Sequence, residues 1–267
     1  MSNEQKIEVN GITLNVIDSR TPGAPVIFIH PFPFNLSVWK AQFERLTTTN
    51  RVITFDIRGF GGSTMDNKKS SIGLYADDLV QMMDHLNLDQ AVVCGLSMGG
   101  YILLDAVERY PSRFKALILC DTQCVGDSKE QQQIRYESIK KIETIGLGDF
   151  SEQFIQKALS ANTLEHNKHL SEQLAAIILS NSPAAVTSGM GAMAQRNETC
   201  SKLSKISVPT LVISGKEDSV IMPSQSEFLF NNIPGAQLQI IEKAGHLSNI
   251  EQPEAFNKII QSFISKL

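Results

Sequence analysis

An α/β fold is predicted, with an eight-stranded, mostly parallel sheet, helices on both faces and one inserted helical cap. Three observations predict it. Short all-apolar runs alternate with segments of helical period up to Asp121, the alternation lapses from about Thr122 to Lys205, and it resumes at Val208-Pro209. Strands buried on both faces read as continuous apolar runs rather than alternating ones, and strands separated by helices imply parallel crossovers. The expected division is therefore a core built from 1–121 and 206–267, interrupted by a cap over 122–205.

The chain opens with Ile7-Glu8-Val9 and Ile12 to Ile17 around Asn10-Gly11, a two-residue turn signal that predicts a β-hairpin, read as two edge strands. Val26 to Ile29, Arg51 to Phe55, Ala91 to Cys94, Phe114 to Leu119 and Thr210 to Ile213 follow as buried strands, and Gln237 to Ile241 closes the series of eight. Helices are predicted over Ser37 to Leu46, Gly73 to Leu86, Met98 to Tyr110, Ser224 to Asn232 and Pro253 to Leu267. Leu174 to Gln195 carries no charge, but Asn181-Ser182-Pro183 and Gly189-Met190-Gly191 should break it. The expectation is two helical pieces covering an apolar crevice through Ile177, Ile178, Leu179, Met190 and Met193.

Composition narrows the function. A chain of 267 residues, 42% hydrophobic, can bury a large core without disulfides or a structural metal. A net charge of −4, with no basic cluster longer than a pair such as Lys68-Lys69, disfavours nucleic acid as a partner. Nothing predicts a membrane partner. Met1 to Lys6 has no apolar stretch of signal-peptide length, and Cys94, Cys120, Cys124 and Cys200 fall at no metal-ligand spacing. The expectation is a cytoplasmic chain with reduced thiols.

The run that carries chemistry is Cys94-Gly95-Leu96-Ser97-Met98-Gly99-Gly100, between an apolar strand and a helical segment. Gly-x-Ser-x-Gly in that context predicts a tight turn that lifts a serine hydroxyl above the sheet, with Gly95 and Gly99 leaving out Cβ atoms that would collide. A serine hydroxyl needs a base, and the base needs an orienting acid. Asp218 follows the seventh strand and His246 the eighth, both at carboxyl ends, where an open α/β sheet forms its crevice. His85, His166 and His169 read as surface residues, and His30 is a nearer rival with another task. Asp121, ending the sixth strand, is the alternative to Asp218, whereas Glu217 should point elsewhere. The backbone N–H groups of Phe32, in His30-Pro31-Phe32-Pro33, and Met98 are the candidate oxyanion donors. Asp56 to Ser63 reads as structural, and no dinucleotide or P-loop pattern is present.

In family order, the His30 to Pro33 loop, the Asp56 to Ser63 turn, the Ser97 elbow, the Asp218 segment and the Gly245-His246 segment resemble the α/β-hydrolase superfamily, with Pro31 where the family usually has glycine. The resemblance implies an α/β-hydrolase fold and a Ser97, Asp218, His246 triad. Ser97 is unlike the aspartate of dehalogenases and epoxide hydrolases or the cysteine of dienelactone hydrolases. The segments Leu119 to Thr122, Ile206 to Asp218 and Ala244 to Pro253 are most similar to 3-oxoadipate enol-lactonases and small carboxylesterases, and Pro33 is similar to cofactor-free haloperoxidases. The implied activity is hydrolysis of a small ester or lactone through an acyl-enzyme, with no cofactor and no metal. A perhydrolase and a small-molecule receptor that cleaves its ligand slowly are the alternatives on the same fold.

Overall fold

The computed structural model describes residues 4–267. Its strands are β1 (Glu4–Val9), β2 (Ile12–Asp18), β3 (Pro25–Ile29), β4 (Arg51–Phe55), β5 (Ala91–Leu96), β6 (Phe114–Cys120), β7 (Thr210–Gly215) and β8 (Gln237–Ile241). They form one sheet in the order β1-β2-β4-β3-β5-β6-β7-β8, antiparallel at β1–β2 and β2–β4 and parallel elsewhere. The hairpin lies where Asn10-Gly11 places it, with both residues at positive φ. Only β1 of the pair is an edge, because β2 also pairs with β4; β8 is the other edge.

Helices α1 (Lys40–Leu46), α2 (Ile72–His85) and α3 (Met98–Arg109) connect the parallel strands up to β6. Between β6 and β7 come α4 (Lys129–Ile145), α5 (Gly148–Ala158), α6 (Ala161–His166), α7 (Lys168–Ser180) and α8 (Pro183–Ala194). The chain then closes with α9 (Pro223–Asn232), α10 (Ser248–Glu251) and α11 (Pro253–Ile264). Successive strand residues serve opposite faces of the sheet. Val26, Phe28, Val52 and Ile118 pack with Trp39, Phe256 and Ile260 under α1 and α11, while Ile27, Ile29, Ile53 and Leu117 pack with Leu79, Ile102 and Leu103 under α2 and α3. The chain therefore leaves β3 toward one face and β5 toward the other. That reversal of winding direction opens a crevice beyond the carboxyl ends of these neighbouring strands.

Three expectations are corrected by the fold. Asn181-Ser182 does separate α7 from α8, but α8 runs unbroken through Gly189 and Gly191. A Cβ at Gly189 would crowd the rings of Phe60 and Phe32, so the absence of a side chain there serves packing rather than a turn. Of the five apolar residues expected over the crevice, Ile178 is spent in the core and Leu179 is 52% exposed. Cys124 and Cys200 form a disulfide, whereas Cys94 and Cys120 are free and buried, 3.6 Å apart on neighbouring strands. A sequence separation of 76 hid their proximity: the helical insertion leaves and re-enters the sheet at one place, where Thr199 N–H also donates to the Cys124 carbonyl. Among the described residues no helix is long and apolar enough to cross a membrane.

Candidate active site

Ser97 sits between β5 and α3 at φ 54° and ψ −114°, a region that a residue with a Cβ occupies only under constraint. The constraint is visible. Ser97 N–H donates to the Cys120 carbonyl at 2.9 Å and Ser97 C=O accepts from Thr122 Oγ1 at 2.8 Å, so β6 grips the turn from one side. A Cβ at Gly95 would strike the Gly99 carbonyl, and one at Gly99 would strike the Ile29 carbonyl, as expected for both glycines.

His246, on the loop after β8, is fully buried and its Nδ1 lies 2.8 Å from Asp218 Oδ2. With the proton on Nδ1 the carboxylate accepts it, and Nε2 carries the lone pair. Nε2 is buried with no hydrogen-bond partner among the described residues. An unpaired polar atom in that position asks for a partner the protein does not supply. Burial pushes the imidazole pKa down, but the Asp218 carboxylate outweighs it and leaves the ring above 6.5. The other oxygen of Asp218 accepts from the N–H groups of Val220 and Ile221, which fixes the carboxylate plane.

The two rival residues are occupied elsewhere. Asp121 accepts from Gly215 N–H at 2.7 Å and Ser248 Oγ at 2.5 Å, and burial beside Asp218 raises its pKa to about 8. His30 donates through Nδ1 to the Pro31 carbonyl and accepts the Ile57 N–H on Nε2, and burial keeps its pKa low. It ties the loop after β3 to the loop after β4, which is the other task expected of it. Glu217 is exposed, as are His85, His166 and His169. Asp56 accepts from Leu36 N–H, Gly62 N–H and Asn15 Nδ2, and Arg58 pairs with Asp78, so this turn is structural as read.

Phe32 and Met98 flank the crevice at the ends of β3 and β5. The Met98 N–H is one of the donors that the first turn of any helix leaves unpaired. The turn holding Phe32 is closed by Phe34 N–H on the Pro31 carbonyl at 3.0 Å, and the Phe32-Pro33 peptide is cis. Neither the Phe32 nor the Met98 N–H donates to a carbonyl among the described residues.

Phe32, Ser97 and His246 line one cavity of about 320 Å³. Its far walls come from the insertion: Gln131, Ile134, Arg135 and Ser138 of α4, Phe150, Phe154 and Lys157 of α5, Met190 and Met193 of α8. Sequence reading named only the two methionines. Phe150, Phe154 and Lys157 stand at i, i+4 and i+7, a helical stripe that could have been noticed. The walls are also charged. Asp127 is shared by Arg135 and by Arg196, which lies 4.3 Å over the Tyr101 ring, and the two guanidinium groups outweigh its burial and hold its pKa low. Lys157 makes no ion pair among the described residues, and its charge opposes protonation of His246. Asn181 fastens the insertion to the core, donating to the Pro33 carbonyl and accepting from Gly61 N–H, both at 2.9 Å.

The chain is similar to several known hydrolases. A thermophilic esterase from Thermogutta terrifontis, solved with malate bound, superposes with a TM-score of 0.94 at 35% identity, covering 98% of each chain. The enol-lactonase from Burkholderia xenovorans superposes at 0.91 with 26% identity, covering 98% of this chain and 100% of the other. In sequence, 3-oxoadipate enol-lactonase 2 of Acinetobacter baylyi is 28% identical over 241 residues, 90% of this chain and 88% of the relative. The family model for the alpha/beta hydrolase fold matches residues 24–253, and the chain belongs to that family.

Proposed function

We propose that the chain hydrolyses small carboxylic esters or lactones through an acyl-enzyme, with Ser97 as nucleophile, His246 as base and then acid, and Asp218 as the group that orients the ring. The observation that carries the reading is the buried Asp218–His246 pair, with Nε2 unpartnered, on the same cavity as a strained Ser97. His246 takes the Ser97 proton as Oγ attacks the carbonyl carbon. The N–H groups of Phe32 and Met98 hold the oxyanion, each such donor being worth roughly 10²–10³ in turnover. The imidazolium protonates the leaving alkoxide, and water then attacks the acyl-enzyme with the same groups acting in turn. No cofactor is called on, because every proton and developing charge in the scheme has a group of the chain to meet it.

Residues 122–205 act as the cap of this site in the same reading, supplying the pocket for the acyl and alcohol parts. The cavity favours a substrate with an anionic substituent: apart from the Asp218–His246 pair, Lys157 and Arg135 line it against Asp127 alone, and Asp127 is also paired by Arg196 from outside the lining. Malate in the Thermogutta esterase and the oxoadipate skeleton of the lactonase substrate have the same character. A cytoplasmic location belongs to this reading too, and it would place the Cys124–Cys200 bond in a compartment that opposes disulfides.

The test is labelling with a fluorophosphonate, mass mapping of the adduct, and turnover on p-nitrophenyl esters and lactones. Label on Ser97 with rapid multiple turnover is expected, and Ser97→Ala should fold normally and lose at least about 10⁴ in kcat. Activity retained in Ser97→Ala would sink the reading; a single slow burst would replace it with that of a receptor.

A further inference from the structure

The carboxyl end of β6 touches all three loops of the candidate triad, although none of its side chains belongs to that triad. Cys120 C=O accepts the Ser97 N–H at 2.9 Å, and Thr122 Oγ1 donates to the Ser97 C=O at 2.8 Å, so the serine turn is held through both its backbone polar groups. Between these contacts, Asp121 reaches the other two loops. Its Oδ1 accepts from Gly215 N–H at 2.7 Å, three residues before Asp218, and its Oδ2 accepts from Ser248 Oγ at 2.5 Å, two residues after His246. Asp121, Thr122 and Ser248 are fully buried, and Asp121 stands at φ 46°, a left-handed conformation that costs energy in a residue with a Cβ.

A carboxyl placed there solely to complete the core would be costly, since burial without full pairing penalises it. Both its oxygens are paired, each to a different loop.

We propose that Cys120-Asp121-Thr122 is a positioning tripeptide that sets Ser97, Asp218 and His246 in register, with Asp121 bridging the acid and base loops. The proposal rests on the triad reading above. Registration of this kind matters because a misplacement of about 1 Å can cost roughly 10²-fold in rate, and loops are less rigid than the strand ends that carry them. Substrate binding depends instead on the cavity walls contributed by α4, α5 and α8, which these three residues do not form.

The experiment compares Asp121→Ala, Asp121→Asn and Thr122→Val for kcat, KM and rate of fluorophosphonate labelling, at a temperature where each variant is folded by near-UV circular dichroism. Asp121→Ala should lower kcat by about 10–100-fold with KM within about twofold of the parent. Asp121→Asn should recover most of that loss, because its carbonyl can accept from Gly215 and its amide can donate to Ser248 Oγ. Thr122→Val, which keeps shape and removes only the contact to Ser97, should slow labelling and kcat by the same factor.

Unchanged kcat in Asp121→Ala and Thr122→Val, whatever their melting temperatures, would overturn the proposal. So would a loss confined to KM, or an Asn variant no better than Ala. If Asp121→Ala does not fold, the other two variants decide. Failure of the triad reading shows separately, as activity surviving in Ser97→Ala.

Discussion

The floor and the walls of the cavity are built differently. Floor residues stand at strand ends and are fixed by short hydrogen bonds: Ser97 N–H and C=O by Cys120 C=O and Thr122 Oγ1, Asp218 Oδ1 by the N–H groups of Val220 and Ile221, and His246 N–H by the Ala158 carbonyl at 2.7 Å. The walls are side chains from three helices of the insertion, whose two ends are tied together by a disulfide and an ion-pair cluster and which Asn181 fastens to the core. A floor of this kind fixes the chemistry to within the tolerance that catalysis needs, whereas such walls can vary to suit the substrate.

The contrast is open to attack, beginning at the floor. Asp218→Asn should lower kcat by about 10⁴ and leave KM nearly unchanged, because the imidazole loses the partner that fixes its tautomer. The sign of the pH effect also follows: Asp218 raises the His246 pKa, so the acid limb of kcat/KM should lie above pH 6.5 in the parent and move to lower pH in the variant. A limb that stays in place would separate His246 from the rate.

At the junction of walls and floor, Cys124→Ser should destabilise the fold by about 4 kcal/mol, the loop-entropy value for joining residues 76 apart. Urea unfolding measures this, and the rate constant for Ser97 labelling should be unaffected under native conditions. Labelling that slowed in step with stability would show that the floor depends on the walls.

The smallest effect is expected within the walls. Lys157→Gln should raise KM about tenfold for an ester bearing a carboxylate and leave a neutral ester unaffected, a difference that should shrink at high salt. Because the lysine charge opposes protonation of His246, its removal should also move the acid limb slightly upward. Equal effects on both esters would mean that the lysine shapes the cavity without selecting charge.

Legibility followed the same division. Each strand is a local apolar run, and the serine turn is spelled out by Gly95, Ser97 and Gly99, so the fold and the candidate nucleophile could be read from short windows. Asp218 is favoured in the sequence, with Asp121 as the alternative, since both follow neighbouring strands and differ only in which loop they face. Arg135 and the Phe150, Phe154 and Lys157 stripe were missed because a stripe shows only that a helix face is covered, and a wall residue is defined by what lies opposite it.

By itself, the sequence determined the order of strands and helices, the strand-free helical stretch between the sixth and seventh strands, and the residue types of a candidate nucleophile, base and acid at strand ends. These depend on periodicity and turn chemistry within a few residues. Tertiary structure alone decided that Asp218 rather than Asp121 meets His246, that Cys124 meets Cys200, and that Lys157 and Arg135 line the cavity with Asp127. Each is a contact between segments far apart in the chain, and such contacts are settled by how helices pack over a sheet, where no local pattern records the distance.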